Sequence, residues 1–381
     1  MTFTLGILGG GLQGLEAALI AKLSGWNTVV MDGKDMAPAA KLATKFVAKK
    51  AQTILDLENS FHNCDAILPA NENLSSLELV DKWHKLGSSP PVAFDLKSFR
   101  ISRDKEKSKK LFLEAQAPVA ASYPGCDFPL IAKPTDRSGS QGVTLIKNKE
   151  ELERLFPEGN TKGYLFEEYC PGPSYSLELT GKPHNYKTWV ATYLEMDSSY
   201  DCRAVWSPVA DAALEESFAA ISVALAEKLE LIGLMDIEVI DTPKGLIVLE
   251  IDARFPSQTP VAVYLSSGVN LLAELLSLFT KDVPQELQKE PMFSLLEHLD
   301  VKNGQMSLMG EHRIAQARPL SLKENFFGAP LALTDMEEGD TSFAATIICR
   351  AKTQAMLKQQ RREIYERLGL HLGTNVPKEI E

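Results

Sequence analysis

Two short segments constrain this chain more than any other feature: Asp236-Ile237-Glu238 and Glu250-Ile251-Asp252-Ala253-Arg254. In each, acids alternate with apolar residues. Side chains along a strand point alternately to opposite faces, so the acids of each segment share one face. Ile237, Val239, Ile247, Val248, Leu249 and Ile251 mark Met235 to Ile240 and Leu246 to Ile251 as core strands. Thr242-Pro243-Lys244-Gly245 between them reads as a hairpin turn. Pairing of these strands brings Glu238 close to Glu250 and Asp252. Carboxylates at that density repel one another unless cations intervene. Crowded hard oxygen donors suit Mg²⁺ carrying a nucleotide phosphate, so Glu238, Glu250 and Asp252 are the candidate metal ligands. Arg254 follows closely enough to clamp a phosphoryl group or an oxyanion. The competing reading, a solvated polar face, fits poorly with the apolar alternate positions.

An ATP site also needs cations for the phosphates, a cover that excludes water and a slot for adenine. Lys105 and Lys133 are the candidate phosphate cations. Lys133 ends the apolar strand Phe128 to Pro134, and the proline after it restricts its backbone. The neighbouring Lys107, Lys109 and Lys110 read as solvated surface charges. The small-residue loop from Asp136 to Gly142, with Ser138, Gly139 and Ser140, offers backbone N–H groups to phosphates. Leu165-Phe166-Glu167-Glu168-Tyr169 reads as a strand that presents alternating backbone donors and acceptors to an adenine edge, with Glu167 accepting from the exocyclic amine.

The N-terminus runs strand, glycine turn, helix, strand: Thr4 to Leu8, Gly9-Gly10-Gly11-Leu12-Gln13-Gly14, Leu15 to Leu23, then Thr28 to Asp32. That is a parallel βαβ unit. The turn fits the dinucleotide pattern, and Asp32 stands where an acid would take a ribose hydroxyl. An NAD(P)-linked oxidoreductase is therefore a rival function. Any tight strand-to-helix turn needs such glycines, however, and a helix N-terminus attracts any anionic group, including an amino-acid carboxylate. The downstream nucleotide machinery favours a structural or substrate-contact role. Further elements are expected at Ala66 to Pro69, a charged helix from Arg103 ended by Pro118, and helices from Leu214 to Leu229, Val269 to Phe279 and Thr353 to Leu368. The pattern weakens from about residue 285. Glu297 and His298 are expected in the core or at the surface.

With 381 residues, 44% of them hydrophobic, the chain is long enough for two or three domains. A net charge of -11 disfavours nucleic acid as a partner. Cys64, Cys126, Cys170, Cys202 and Cys349 are scattered without metal-like spacing and read as free thiols. No apolar run reaches spanning length, so no membrane partner is expected. Nothing reads as a signal peptide, and a cytoplasmic location is the expectation.

In order, Lys105, Lys133, the small-residue loop, Glu167-Glu168-Tyr169, Glu238 and Glu250 to Arg254 resemble the ATP-grasp superfamily. The resemblance covers roughly residues 1–290. It implies an α/β fold with a Rossmann-like N-terminal domain (1–98), a central lid domain (99–175) and a C-terminal α+β domain (176–381). Many members have asparagine where Asp252 stands, and many hold the ribose with a glutamate where this chain has Ser174. Five segments resemble more narrowly the 3-methylornithine–L-lysine ligase family of pyrrolysine biosynthesis: Gly9 to Gly14, Asn71 to Leu74, Arg100 to Lys105, Ser199 to Cys202 and Glu250 to Pro260.

That likeness implies a carboxylate–amine ligase. ATP is a co-substrate, Mg²⁺ the cofactor (two ions expected), small amino acids the partners, and a homodimer is possible. It places the ornithine-type substrate at Ser176 and Glu178, L-lysine at Leu12, Gln13, Glu72 and the side formed by Ser257, Gln258 and Thr259, and Asp236 and Arg254 against substrate groups. Glu72 is expected to touch the nucleotide as well. Asp236 is assigned a substrate amine or its proton, and Arg254 the acyl-phosphate and the oxyanion. Other ATP-grasp amino-acid ligases and a non-catalytic nucleotide-binding module are the remaining rivals.

Overall fold

The structure is a computed structural model that describes residues 2–135, 139–159, 161–284 and 290–380. Thr4–Leu8 is apolar on both faces and lies at the centre of a four-stranded parallel sheet. The strand order is Lys45–Ala48, Asn27–Asp32, Thr4–Leu8, Ala66–Pro69. A strand buried on both faces needs covering layers. Helix Leu12–Leu23 supplies one, and Ile54–Phe61 with Leu74–Lys85 supplies another. Thr53 and Asp56 form a capping box at the start of the second helix, and Asn73 caps the third.

Leu130–Pro134 pairs antiparallel with Thr144–Ile146 on one side and Tyr164–Glu168 on the other, giving a small three-stranded sheet. The rest of the chain builds an eleven-stranded antiparallel sheet that has Gly245–Asp252 at one edge and Gly233–Thr242 beside it. Met235, Ile237 and Val239 pack with Phe218 and Leu225 of helix Ala212–Leu229. That packing turns the alternate residues Asp236 and Glu238 to the opposite face. Helix Thr259–Ser267 joins the two halves: Val261, Ala262 and Tyr264 share one core with Ala17, Ala18 and Ala21 of the first helix. The small residues let the helices approach closely, which brings the N-terminal turn to the acidic face.

Several boundaries differ from the sequence expectation. The charged helix runs Lys105–Glu114, because the Asp104 side chain accepts from Lys107 N and caps it. The helix expected over 269–279 is Leu271–Ser277, and a helix not expected from the sequence, Thr259–Ser267, precedes it at a bend of 102°. Gly268 takes a φ of 78° there, and Asn270 caps the second helix. Glu297 and His298 lie in the core. Arg361 Nε donates to Glu297 at 2.9 Å and the Tyr365 hydroxyl at 3.0 Å. His298 Nδ1 is 2.8 Å from Thr346 Oγ1, and burial pushes its imidazole down to about 3, so it is neutral.

Candidate active site

Directly opposed residues of an antiparallel pair point to the same side. The register sets Glu238 opposite Glu250 and Ser176, and Asp236 opposite Asp252 and Glu178. Five carboxylates and one hydroxyl thus form two rows on one buried face. Burial is the main force on most of them. It pushes Glu238 up to about 8, helped by Glu250 and Asp252. It pushes Asp252 up to about 7 against the pull of Arg254, and Glu178 up to about 7. Asp236 is raised too, by burial and then by Glu238 and Glu178. Glu250 goes the other way, because the Lys105 ammonium lies 2.7 Å from its carboxylate. Arg254 is 2.8 Å from Asp252 and 2.9 Å from Glu72. Burial works against its charge, but Asp252 and Glu72 hold the guanidinium protonated.

One cavity lies on the lysine side of these rows. It is lined by Lys105, Lys133, Ser140, Glu168 and Tyr169, with Ile131, Ile240 and Leu249 as its apolar wall. It encloses about 870 Å³ including its open mouth. Ser174, the residue at the usual ribose-glutamate position, also lines it. The Glu167 carboxylate is gripped by Lys109 at 2.5 Å and Lys133 at 3.0 Å. Burial favours its neutral form, but the two ammonium groups hold it below the usual carboxylate range.

Two expectations change here. Lys109 is not a surface charge, because its side chain is only 14% exposed and also donates to Ala120 O at 2.6 Å. Its spacing of four residues from Lys105 puts both on one helix face, a signal available in the sequence. The strand near Tyr169 does not offer free backbone donors throughout. Glu168 N donates to Ala121 O and Tyr169 N to Pro129 O. Gly139 and Ser140 both take left-handed backbone angles, φ 57° and 56°, at the cleft mouth. Ser138, with Asp136 and Arg137, lies outside the described residues.

A second cavity lies on the other side of the same rows. Asp236, Glu238, Glu250, Asp252, Asp201 and Glu311 line it, with Arg254 as their cation. Glu238, Glu250 and Ser140 belong to both cavities, so the two are contiguous. Ser257 Oγ donates to Glu311 at 2.7 Å and Gln258 Nε2 at 2.8 Å. Gln258, at φ 67°, has its backbone N–H held by the buried Glu16 carboxylate. Thr259 begins the helix that follows and is buried.

Ser176 and Glu178 share the acidic face but form its floor and do not line the cavity. Ser176 Oγ is 3.4 Å from Asp236 Oδ1. Both Glu178 carboxylate oxygens are buried without a hydrogen-bond partner. On the N-terminal side, Gln13 Nε2 donates to Glu72 at 3.3 Å, and Glu72 in turn meets Arg254. Leu12 begins the first helix and packs against the core. Glu311 and Asp201 were missed because no periodic pattern marks them. Glu16 did carry a signal, as a lone acid inside an otherwise apolar helix.

The donor set fits a hard divalent cation: Glu238, Glu250 and Asp252 are crowded, partly buried carboxylates whose mutual repulsion an ion would relieve. The site is not a preformed cage. Among the described residues no three such side chains already converge on one point. Glu250 is turned to Lys105 and Asp252 to Arg254. The N-terminal turn does not fit a dinucleotide as well. Asp32 uses one oxygen on Gly10 N at 2.7 Å and the other on Lys34 N at 2.8 Å. Gly14 packs on Gly9 so closely that a Cβ would lie 1.9 Å from the Gly9 carbonyl oxygen. These glycines are required by the turn itself.

The ATP-grasp domain family matches residues 103–258. Over 314 residues the chain is 38% identical to the 3-methyl-D-ornithine–L-lysine ligase of Methanosarcina mazei, covering 81% of each chain. It is 40% identical to that of Methanosarcina acetivorans, over 81% of this chain and 83% of the relative. Among solved structures, biotin carboxylase from Campylobacter jejuni superposes with a TM-score of 0.72 at 14% identity, over 98% of this chain and 95% of that one. N5-carboxyaminoimidazole synthetase from Staphylococcus aureus, complexed with ADP, gives 0.69 at 17% identity, over 97% and 98%. These two likenesses carry the fold, and the two curated relatives carry the family. The chain belongs to the ATP-grasp superfamily and, within it, to the 3-methyl-D-ornithine–L-lysine ligases.

Proposed function

We propose that this enzyme, like its relatives named 3-methyl-D-ornithine–L-lysine ligases, ligates these two amino acids, that it joins the carboxylate of 3-methyl-D-ornithine to the ε-amine of L-lysine at the expense of ATP, and that it serves pyrrolysine biosynthesis. One observation carries the reading: a lysine-walled cavity and an acid-walled cavity meet across the Glu238–Glu250 pair. A dibasic substrate suits acidic walls, and a nucleotide suits cationic ones. At their junction a carboxylate oxygen attacks the γ-phosphorus, and ADP leaves. The lysine nitrogen then attacks the acyl carbon, and phosphate leaves.

Lys105 and Lys133 would hold the phosphates, with Lys109 and Glu167 fixing Lys133 in place. Glu238, Glu250 and Asp252 would hold Mg²⁺, which when bound supplies charge neutralisation at the phosphates. Two ions are our reading of the stoichiometry. Arg254 would stabilise the negative charge that develops on the acyl-phosphate and on the tetrahedral oxygen. Asp236 faces the same space and would take the proton shed by the lysine amine. A free ε-amine has a pKa of about 10.4, so at most roughly a thousandth is neutral at pH 7 and some acceptor is needed. Gln13 and Glu72 would present L-lysine, and Ser257, Gln258 and Glu311 the ornithine amines. Glu178 acts from beneath Asp236. We assign residues 1–98 to an N-terminal substrate domain, 99–175 to the lid and 176–381 to the catalytic domain, and propose a homodimer, which light scattering would test. A panel of acid and amine substrates scored by ADP release tests the substrate assignment. Release that depends on any other pair, and not on these two, would overturn it.

A further inference from the structure

The turn between strands Thr192–Met196 and Cys202–Ser207 has no role in the chemistry above, yet it is tightly built. Asp197 Oδ1 accepts from Ser199 N at 2.7 Å and from Asp201 N at 3.1 Å. Tyr200 takes a φ of 62°. This fixes the Asp201 carboxylate against the short helix Glu311–Ala315. Asp201 Oδ2 accepts from His312 N at 3.2 Å and lies 2.9 Å from His312 Nδ1. Such close approach requires Gly310, because a Cβ there would lie 2.0 Å from the same oxygen.

With Nδ1–H donated to Asp201, the other ring nitrogen of a neutral imidazole is an acceptor. His312 Nε2 lies 3.2 Å from Gln141 Nε2, whose amide donates to it. The ring also lies flush against Gly139, where a Cβ would come within 2.8 Å of Cε1. Gly139, Ser140 and Gln141 form the turn at the mouth of both cavities. His312 thus ties the C-terminal wall of the site to a turn that lines the junction of the two cavities.

We propose that His312, oriented by Asp201, is a positioning residue that latches the Gly139–Gln141 turn over the reaction centre and keeps water from the activated carboxyl group. The proposal rests on the ligase reading for its consequence but not for the contact itself. An acyl-phosphate reached by water hydrolyses, so an open turn would release ADP without forming amide.

Two readouts on the full-length enzyme test it. The first is hydrogen exchange of peptides covering Gly139 to Ile146, with Mg²⁺ and a non-hydrolysable ATP analogue. The second is amide formed per ADP released with 3-methyl-D-ornithine and L-lysine. In His312→Ala, exchange should rise roughly five-fold, the worth of one neutral hydrogen bond, and amide per ADP should fall. Gln141→Ala removes the same bond from the exposed side and should do likewise, so the answer does not depend on one variant folding. His312→Gln keeps an acceptor and should recover part of both. Wild-type exchange and wild-type amide per ADP in His312→Ala and Gln141→Ala would overturn the latch and leave the ligase intact. No amide from the wild-type enzyme would overturn the ligase, and the exchange readout would still decide the latch.

Discussion

Arg254 is the residue on which the proposed chemistry turns, because it is set among the acids of the second cavity and is tied to both halves of the molecule. Arg254→Ala should fold, by circular dichroism, and lose about 10²–10³-fold in ligation, the scale of a lost oxyanion donor. Normal turnover would remove it from the mechanism. Glu238→Gln should abolish Mg²⁺-dependent ATP turnover, and unchanged ADP release at saturating Mg²⁺ would take it out of the metal site. Glu178 gives a pH test of the ligand-free protein. Its folded pKa, about 7, lies above an ordinary 4.5. The folded state therefore binds the extra proton, and its contribution to stability is fully present below about 4.5 and lost as pH rises to about 7. The melting temperature of the wild type should fall across that window, and Glu178→Gln should fall less. Equal slopes would show that Glu178 is not the buried acid described. At this scale the sequence was most readable where alternation fixes direction, as at Asp236, Glu238, Glu250 and Asp252. It was least readable at Glu311, Asp201 and His312, whose positions depend on which distant segments the sheet brings together.

Among the elements, the glycine turn at the N-terminus and the helix at the C-terminus make different demands. Gly14→Ala places a Cβ against the Gly9 carbonyl and should cost at least about 1–3 kcal/mol, read as a lower melting temperature. Wild-type stability would mean that the turn tolerates a side chain and is not set by packing. Helix Gln354–Leu372 is pinned to the large sheet by Arg361 and Tyr365, which both bond the buried Glu297. Arg361→Ala strands that carboxylate and should cost about 3–5 kcal/mol. Because this pair lines neither of the two cavities of the proposed site, kcat of the folded fraction should hold. A large loss of kcat without loss of stability would contradict a structural role. The βαβ start and the acidic hairpin were legible because each carries a regular period and a turn signal. Helix Thr259–Ser267 was not, because it starts at Thr259-Pro260, directly after residues that read as loop. The strands after residue 290 were obscured by buried polar residues such as Ser294, Glu297, His298 and Asp300, which blur alternation.

For the whole molecule, the central consequence of the fold is contiguity. The large antiparallel sheet supplies the acidic floor, the small sheet and helix Lys105–Glu114 supply the cations, and the N-terminal unit reaches Arg254 through Glu72. The order of these parts along the chain was legible. Their meeting was not, because it depends on helix Thr259–Ser267 packing on the first helix, in a stretch that begins Ser257-Gln258-Thr259-Pro260 and reads as loop. If the two cavities work as one centre, phosphate transfer and amide formation are coupled. Mass spectrometry of the product from ATP, Mg²⁺, L-lysine and 3-methyl-D-ornithine, with ADP counted alongside, tests this directly. The expected result is a single condensation product, the sum of both amino acids less one water, formed in step with ADP. ADP released at the same rate without either amino acid, or no condensed product at all, would contradict it.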